Sequence, residues 1–307
     1  MRFHATKAPA ILNEILEINT IINTKNKKMN NKIYPCLWFD GNAKEAATFY
    51  TSIFDNSKRT VDTPLVVNFE LCGKKIMGLN GGPTFTINPA ISLFVTCANN
   101  NEIENYWEKL SDGGMAMMPL DKYPWSEKYG WVKDRFGMTW QLMIGDVAQT
   151  GQKLTTSFLF ANQQYGKARE AVNFYTSVFP NSKIHHQELY TAGEEQPEGY
   201  LKFGHFTLNN EIFAAMDGPG SHEFNFSEGL SLVVDCDTQE DIDYYWNKLT
   251  DGGEESQCGW LKDRFGVSWQ IVPTVLSKLM SDPARSQRVM QAFMKMKKFD
   301  IATLMNA

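Results

Sequence analysis

The sequence predicts an α+β protein made of two tandem copies of one domain, each copy built from two strand-helix-strands modules. Three observations lead there. GWVKDRFGMTWQ at 130–141 returns as GWLKDRFGVSWQ at 259–270, FYTSIFDNSK at 49–58 as FYTSVFPNSK at 174–183, and YWEKLSDGG at 106–114 as YWNKLTDGG at 245–253. Blocks recurring in one order mean a duplicated domain. Within each copy, a short apolar run, a helix with apolar residues three and four apart, and further strands follow one another twice. The length of 307 residues suits two domains.

Taken in order, residues 1–31 precede the repeat. Ile11, Ile15, Ile18 and Ile22 recur at helical spacing after Pro9, and a basic polar stretch at 25–32 reads as a linker, with Met29 a candidate native start. The first domain is placed at 32–147 and the second at 152–274. Strands at 33–39 and 155–160 are each followed by a helix whose apolar end is Phe-Tyr-x-x-x-Phe. Strands at 66–72 and 75–79 match those at 200–209 and 211–216, with turns expected at Gly73-Lys74 and Asn209-Asn210. The second modules open with strands at 91–97 and 230–236, continue through helices at 102–110 and 239–249 that end at Gly pairs, and close with two strands each. Residues 275–307 form a helical tail, starting at Asp282-Pro283, with a stripe of Val289, Met290, Phe293, Met294 and Met296. The copies differ by insertions at 115–129 in the first and 184–199 in the second, read as surface loops that make the copies functionally unequal.

Composition narrows the classes of function. A net charge of −5 with interspersed signs lacks the basic footprint of a nucleic-acid binder. Five cysteines, none in zinc-site spacing, read as reduced thiols of a cytoplasmic protein. No apolar run reaches the roughly 20 residues that cross a bilayer. The expected partner is a small molecule, with neither nucleic acid nor membrane, and the expected state a monomer or homodimer.

Paired modules, the Phe-Tyr helix and Asp-x-x-Gly-x-x-x-Gln at each domain's end resemble the vicinal oxygen chelate superfamily, which includes glyoxalase I, bleomycin-resistance proteins and extradiol dioxygenases. More narrowly, YPCLWFDGNAKEAATFY, NGGP at 80–83, GWLKDRFGVSWQIVP and MKKFDIATL resemble its PhnB-like branch, often labelled 3-demethylubiquinone-9 3-methyltransferase. The resemblance implies two glyoxalase-like domains of two βαβββ modules, each curling a mixed sheet into a cup that holds a metal or a small molecule. Carried over residue by residue, it implies no metal here. Gln141 and Gln270 stand where the superfamily has a carboxylate ligand, Ala90 and Gly229 where it has one histidine, and 33–35 and 155–157 where it has another. A neutral amide alone is a weak ligand. No Gly-rich loop of the kind that binds a nucleotide-type cofactor opens a helix, so S-adenosylmethionine binding is unsupported and no cofactor is expected.

Strand alternation supplies the candidate site. Phe69 with Leu71, and Phe206 with Leu208, form apolar faces, leaving Asn68 and Glu70, or His205 and Thr207, for the cup. With Asn80, Gln141 and Gln270 these are the expected ligand-binding groups. His205 is the candidate acid or base, because imidazole titrates near neutrality. His185 and His186 read as exposed, Cys258 as inert, and Asp134 and Asp263 as turn residues. Trp131, Trp140, Trp260 and Trp269 read as packing residues, with one per domain a possible cup wall. Two functions follow: metal-independent binding of a small, partly aromatic metabolite or antibiotic, or a lyase or isomerase acting on a small oxygenated substrate through His205.

Overall fold

The computed structural model describes residues 33–307, so the expected helix at 11–22, the linker and Met29 lie outside the described residues. Module one comprises β1 (Ile33–Phe39), α1 (Ala43–Ile53), β2 (Lys58–Asp62), β3 (Val66–Leu71) and β4 (Lys74–Asn80). Module two comprises β5 (Ile91–Cys97), α2 (Asn100–Ser111), β6 (Met115–Tyr123), β7 (Ser126–Lys133) and β8 (Thr139–Ile144). A single-turn helix, α3 (Val147–Thr150), leads into module three: β9 (Leu154–Ala161), α4 (Ala168–Val178), β10 (Lys183–Leu189), β11 (Leu201–Leu208) and β12 (Glu211–Gly218). Module four is β13 (Leu230–Cys236), α5 (Gln239–Leu249), β14 (Glu254–Glu255), β15 (Trp260–Lys262) and β16 (Ser268–Pro273), and the tail carries α6 (Val275–Ser281), α7 (Ser286–Phe293) and α8 (Ile301–Asn306). No described helix is long and apolar enough to cross a membrane.

Local chemistry explains the elements. In α1 the buried residues are Ala43, Ala46, Ala47, Tyr50 and Ile53, the three-and-four spacing of one helical face. Thr238 and Asp241 form a reciprocal capping box that starts α5. Between β11 and β12 the turn falls on Asn209 and Asn210, whose φ values of 48° and 68° suit a tight hairpin. The equivalent turn in module one uses Cys72 and Gly73, at 50° and 78°, one residue earlier than expected. Such a turn needs two consecutive left-handed residues, and Lys74 already belongs to β4.

Two further expectations are corrected. The segment 115–129 is a long β-hairpin, with β6 pairing antiparallel to β7, and not an irregular loop. In the tail, Val289 is buried but Met290 and Met294 are 40% and 60% exposed, so the methionine stripe is packed along one edge only. Where the second copy lacks a long β6, the tail covers the edge instead: Cys258 N–H donates to Met296 O and Gly259 N–H to Lys297 O, both at 2.7 Å.

The sheets cross the copies. One eight-stranded sheet, called A here, runs β14-β15-β16-β13-β1-β4-β3-β2, and the other, sheet B, runs β10-β11-β12-β9-β5-β8-β7-β6. Module one therefore shares its sheet with module four, and module two with module three, whereas the repeat suggested that the two modules of one copy would close one cup. The seams are antiparallel, β1 on β13 with Cys36 opposite Ser231, and β5 on β9 with Ser92 opposite Ser157. The modules of one copy meet instead through their helices. Tyr50 of α1 lies 5.1 Å from Trp140 and 5.8 Å from Phe136, ring centre to ring centre, and Tyr175 of α4 lies 5.5 Å from Trp269 and 5.9 Å from Phe265. A sequence repeat records which residues share a core, and this core joins two sheets. Both cups keep the expected composition of two βαβββ modules.

A buried aspartate anchors each aromatic core. Asp263 Oδ1 accepts the backbone N–H groups of Phe265 and Val267, and Oδ2 accepts Trp269 Nε1–H at 2.8 Å and Tyr175 O–H at 2.7 Å. Asp134 accepts from Phe136, Met138 and Trp140 in the same pattern. Desolvation nevertheless outweighs the four donors and pushes the Asp263 carboxyl up to about 6. The folded carboxyl thus holds its proton more tightly than the unfolded one, near 4, so this group's share of stability is present below about pH 4 and is lost as pH rises through about 6.

Because Tyr175 donates to the ionised carboxylate, Tyr175→Phe is expected to cost about 1.5–3 kcal/mol in urea unfolding, and to cost more at pH 8 than at pH 5. An equal cost at both pH values would contradict this role. A second expectation concerns the seams. Lys74 and Glu211, equivalent by the repeat, form an ion pair with one another. Separately expressed copies, 33–150 and 151–307, should each expose a seam edge and associate. A mixture should form the heterodimer in preference to either homodimer, which would oppose Lys74 to Lys74 or Glu211 to Glu211, and native mass spectrometry reads the ratio.

Candidate functional site

The pleat sends alternate side chains to the helices and to the concave face. Phe206 and Leu208 of β11, Phe158 and Phe160 of β9, Leu93 and Val95 of β5, and Trp140 and Leu142 of β8 all join the helix-side core. Their neighbours His205, Thr207, Ser157, Ser92, Phe94 and Gln141 consequently face the cup of sheet B. Gly130 points at the helix, since a Cβ there would lie 2.5 Å from the Trp107 ring, so Tyr129 and Trp131 also face the cup. Trp140 and Trp269 are core residues; Trp131 and its counterpart Trp260 belong to cup walls.

Cross-strand registry lines these groups into a row. His205 lies opposite Ala214, Ala214 opposite Ser157, Ser157 opposite Ser92, and Trp131 opposite Gln141, whose amide nitrogen reaches Ser92 Oγ at 2.6 Å. Sheet A carries the equivalent row: Asn68, Met77, Cys36, Ser231, Gln270 and Trp260, with Gln270 Nε2 donating to Ser231 Oγ at 2.9 Å. The crossing of the sheets thus brings His205 and Thr207 together with Gln141 rather than Gln270, and Asn68 and Glu70 together with Gln270 rather than Gln141.

The two rows differ at their centre. Cup B has Ala214 and Ser157 where cup A has Met77 and Cys36, and the Cys36 thiol, wholly buried, is pushed up to about 12 by desolvation. Met77 packs with Tyr34, Cys36 and Val233, at the position where cup B has the smaller Ala214. Cup A also carries fixed charge: Tyr34 O–H donates to Asp235 at 2.8 Å, and Lys75 sits 3.2 Å from Asp235 and 3.7 Å from the Tyr34 ring centre. In the row of cup B the polar atoms are neutral, the nearest lysines of that face, Lys133 and Lys183, standing at strand ends. Tyr129 O–H donates to Gln141 Oε1 at 2.8 Å, which fixes the amide, whereas Ser157 Oγ and Trp131 Nε1 are buried without a hydrogen-bond partner.

His205 is half-buried, and burial, reinforced by His185 and His186 nearby, holds its imidazole below the usual histidine range. A bulge in β10 between Ile184 and His186 lets His185 bond Thr207 Oγ1 at 2.6 Å, its ring centre 5.7 Å from that of His205. His185 and His186 are exposed, as their sequence suggested, but they lie on strand β10 and flank the candidate site rather than sitting in a loop. This part of the site was not legible, because it depends on a bulge.

Asn80 lies on the helix side of β4. Its Oδ1 accepts Ala43 N–H at 2.9 Å, capping α1, and its Nδ2 donates to Pro64 O at 2.8 Å. Asp217, its counterpart, caps α4 through Gly166 and Ala168. Both helix N-termini that follow the first strands are therefore already occupied by side chains, which leaves them unsuited to a nucleotide-type cofactor.

The residues do not fit the metal of the resembled superfamily. Among the described residues no three His, Cys, Asp or Glu side chains converge on one point. Gln141 is committed to Tyr129 and Ser92, and a Cβ at Gly229 would lie 2.1 Å from Thr86 O, so no histidine fits there. Ala90, at the matching place in the other cup, is 2% exposed.

Comparison with known proteins follows the same lines. The pattern of the family described as 3-demethylubiquinone-9 3-methyltransferase matches residues 31–143 and 152–272. A PhnB protein from Bacillus cereus is 37% identical over 36% of this chain and 96% of its own, with a TM-score of 0.34. A glyoxalase I mutant from Zea mays is 12% identical with a TM-score of 0.53, covering 81% of this chain and 95% of its own, and glyoxalase I from the same plant is 11% identical with the same TM-score over 78% and 92%. At such identity the likeness shows the glyoxalase fold alone. No curated protein matches the chain.

The His205 environment makes a titration measurable. The imidazole midpoint, followed by NMR, is expected below the ordinary value of about 6.5, and replacing His185 and His186 by Gln should move it upward. A midpoint above the ordinary value would mean that the imidazole is not desolvated in the cup.

Proposed function

The chain belongs to the 3-demethylubiquinone-9 3-methyltransferase family, and from that premise we propose that it binds a small, partly aromatic molecule in the cup of sheet B without a metal. One observation carries the reading: of two equivalent rows, the one in cup B has small residues, Ala214 and Ser157, at its centre and two buried donors without partners, Trp131 Nε1 and Ser157 Oγ, where cup A has one unpartnered acceptor, Asn68 Oδ1. An unsatisfied buried donor costs about 1–3 kcal/mol, which a complementary ligand recovers on binding. Cup A, with the larger Met77 and Cys36 at the same two positions, serves as the structural counterpart. Methyl transfer is not supported by the residues, since the capped helices and the mixed sheets offer no cofactor cradle.

A second reading has its own support. A desolvated His205, neutral near pH 7 and lying beside Thr207 on the cup wall, suits a general base in a lyase or isomerase acting on a small oxygenated substrate. His205→Gln would abolish turnover under that reading and leave it nothing to explain if ligand binding and turnover both persisted.

The test of binding is retention from a metabolite mixture, with retained compounds identified by mass spectrometry. Ala214→Met, which copies cup A into cup B, is expected to weaken retention by about tenfold or more, the equivalent of 1.4 kcal/mol, while Met77→Ala leaves it intact. The reverse result would move the site to cup A.

A further inference from the structure

We propose that cup B selects a neutral planar aromatic ring bearing a hydrogen-bond-accepting oxygen, received by the Trp131 indole N–H and the Ser157 hydroxyl, with the ring placed against the tip of the β6–β7 hairpin. The inference deepens the binding reading and rests on it. Trp131 Nε1 and Ser157 Oγ are shielded from solvent and have no partner, and Ser157 as a whole is 1% exposed. An indole nitrogen can only donate, so the group that satisfies it is an acceptor. Gln141, between them on the row, cannot serve, because its oxygen takes the Tyr129 hydroxyl and its nitrogen goes to Ser92.

Charge decides what kind of oxygen. The side chains of the row are uncharged, with the imidazole of His205 held towards its neutral form by burial. Lys153, Lys202 and Lys128 on the surrounding elements are turned to Glu102, Glu194 and Glu104, and the lysines that share the cup face, Lys133 at the end of β7 and Lys183 at the start of β10, stand at strand ends rather than in the row. A carboxylate or phosphate brought to the middle of this row, beside Ser157, would lose its hydration with no cation among the row's own side chains to replace it. A carbonyl or phenol oxygen meets the donors without that cost.

The ring is assigned by the hairpin. Tyr123 and Trp125 stack with centres 5.0 Å apart and planes 23° apart, and Trp125 meets Tyr129 edge-on at 5.8 Å. Tyr129 in turn donates to Gln141, so aromatic surface runs without a break from the rim to the polar row. Trp125 is 59% exposed, an unusual position for an indole that has a stacking partner on one face only. The second copy lacks the segment that makes this hairpin, which gives cup A no equivalent wall.

Calorimetric titration of the full chain with 1-acetylnaphthalene, 1-naphthoate and cyclohexyl methyl ketone tests the inference. The aromatic ketone is expected to bind about tenfold or more tightly than either of the others. Trp131→Phe, which keeps a ring and removes the donor, should weaken the aromatic ketone by about tenfold, and Trp125→Ala should weaken it while sparing the cyclohexyl ketone. Ser157→Ala stands in for Trp131→Phe if circular dichroism shows that variant unfolded. Naphthoate binding as tightly as acetylnaphthalene, or none of the three binding, overturns the inference. Ala214→Met separates the two levels. If it abolishes binding while Trp131→Phe and Trp125→Ala change nothing, the cup reading holds and this inference falls; if it leaves acetylnaphthalene bound, the ligand is not in the cup and the cup reading falls.

Discussion

The antiparallel seams between β1 and β13 and between β5 and β9 are the constraint on which everything else in the molecule depends. Each seam joins a module of one copy to a module of the other, so neither cup exists within one copy. The seams place Ser92 beside Ser157 and Cys36 beside Ser231, the middle of each concave row, and they alone bring His205 onto the same sheet as Gln141. Sheet continuity supplies the site, while the helices and their aromatic residues supply the core. The two systems of contact run at cross purposes along the chain, and their crossing is what ties the copies together.

The buried aspartates explain how the core tolerates this arrangement. Each turn of sequence Asp-Arg-Phe-Gly closes on itself through backbone donors and reaches an indole, and Asp263 also reaches the Tyr175 hydroxyl of the preceding module. A carboxylate with four donors is costly to bury but specific in geometry. It locks the β15–β16 hairpin against the helix that carries Tyr175, while in the first copy Tyr50 meets Trp140 and Phe136 through ring packing. The Phe-Tyr helix and the Asp turn are therefore two ends of one contact, which is why the same two blocks stand out in the repeat.

Much of this was legible in the sequence. The four modules, the strand faces of Phe69 and Phe206, the cup-facing Asn68, Glu70, His205 and Thr207, and the family follow from periodicity and from motif. What was not legible depends on pairing between distant strands. Alternation says that His205 leaves the helix side, but not that its neighbours are Ala214 and Ser157, because registry is set by residues far away in the chain. Asn80 sits beside a Gly-Gly-Pro turn and reads as a polar lining group, yet it lies at even spacing from Ile76 and Gly78 and so caps a helix. The segment 115–129 shows no clean alternation, having Pro119 and Pro124 within it, and its hairpin carries three register shifts.

Gly229 has a consequence for how this chain can change. Its backbone is pressed against Thr86, with a Cβ position only 2.1 Å from the Thr86 carbonyl oxygen, and Trp38 N–H donates to the Gly229 carbonyl on the other side. A histidine codon at this position would therefore produce a displaced loop before it produced a ligand. A side chain of any size at 229 would require the 86–87 segment to retreat first. What bars a histidine here is in this sense the packing of two loops rather than the identity of a single residue.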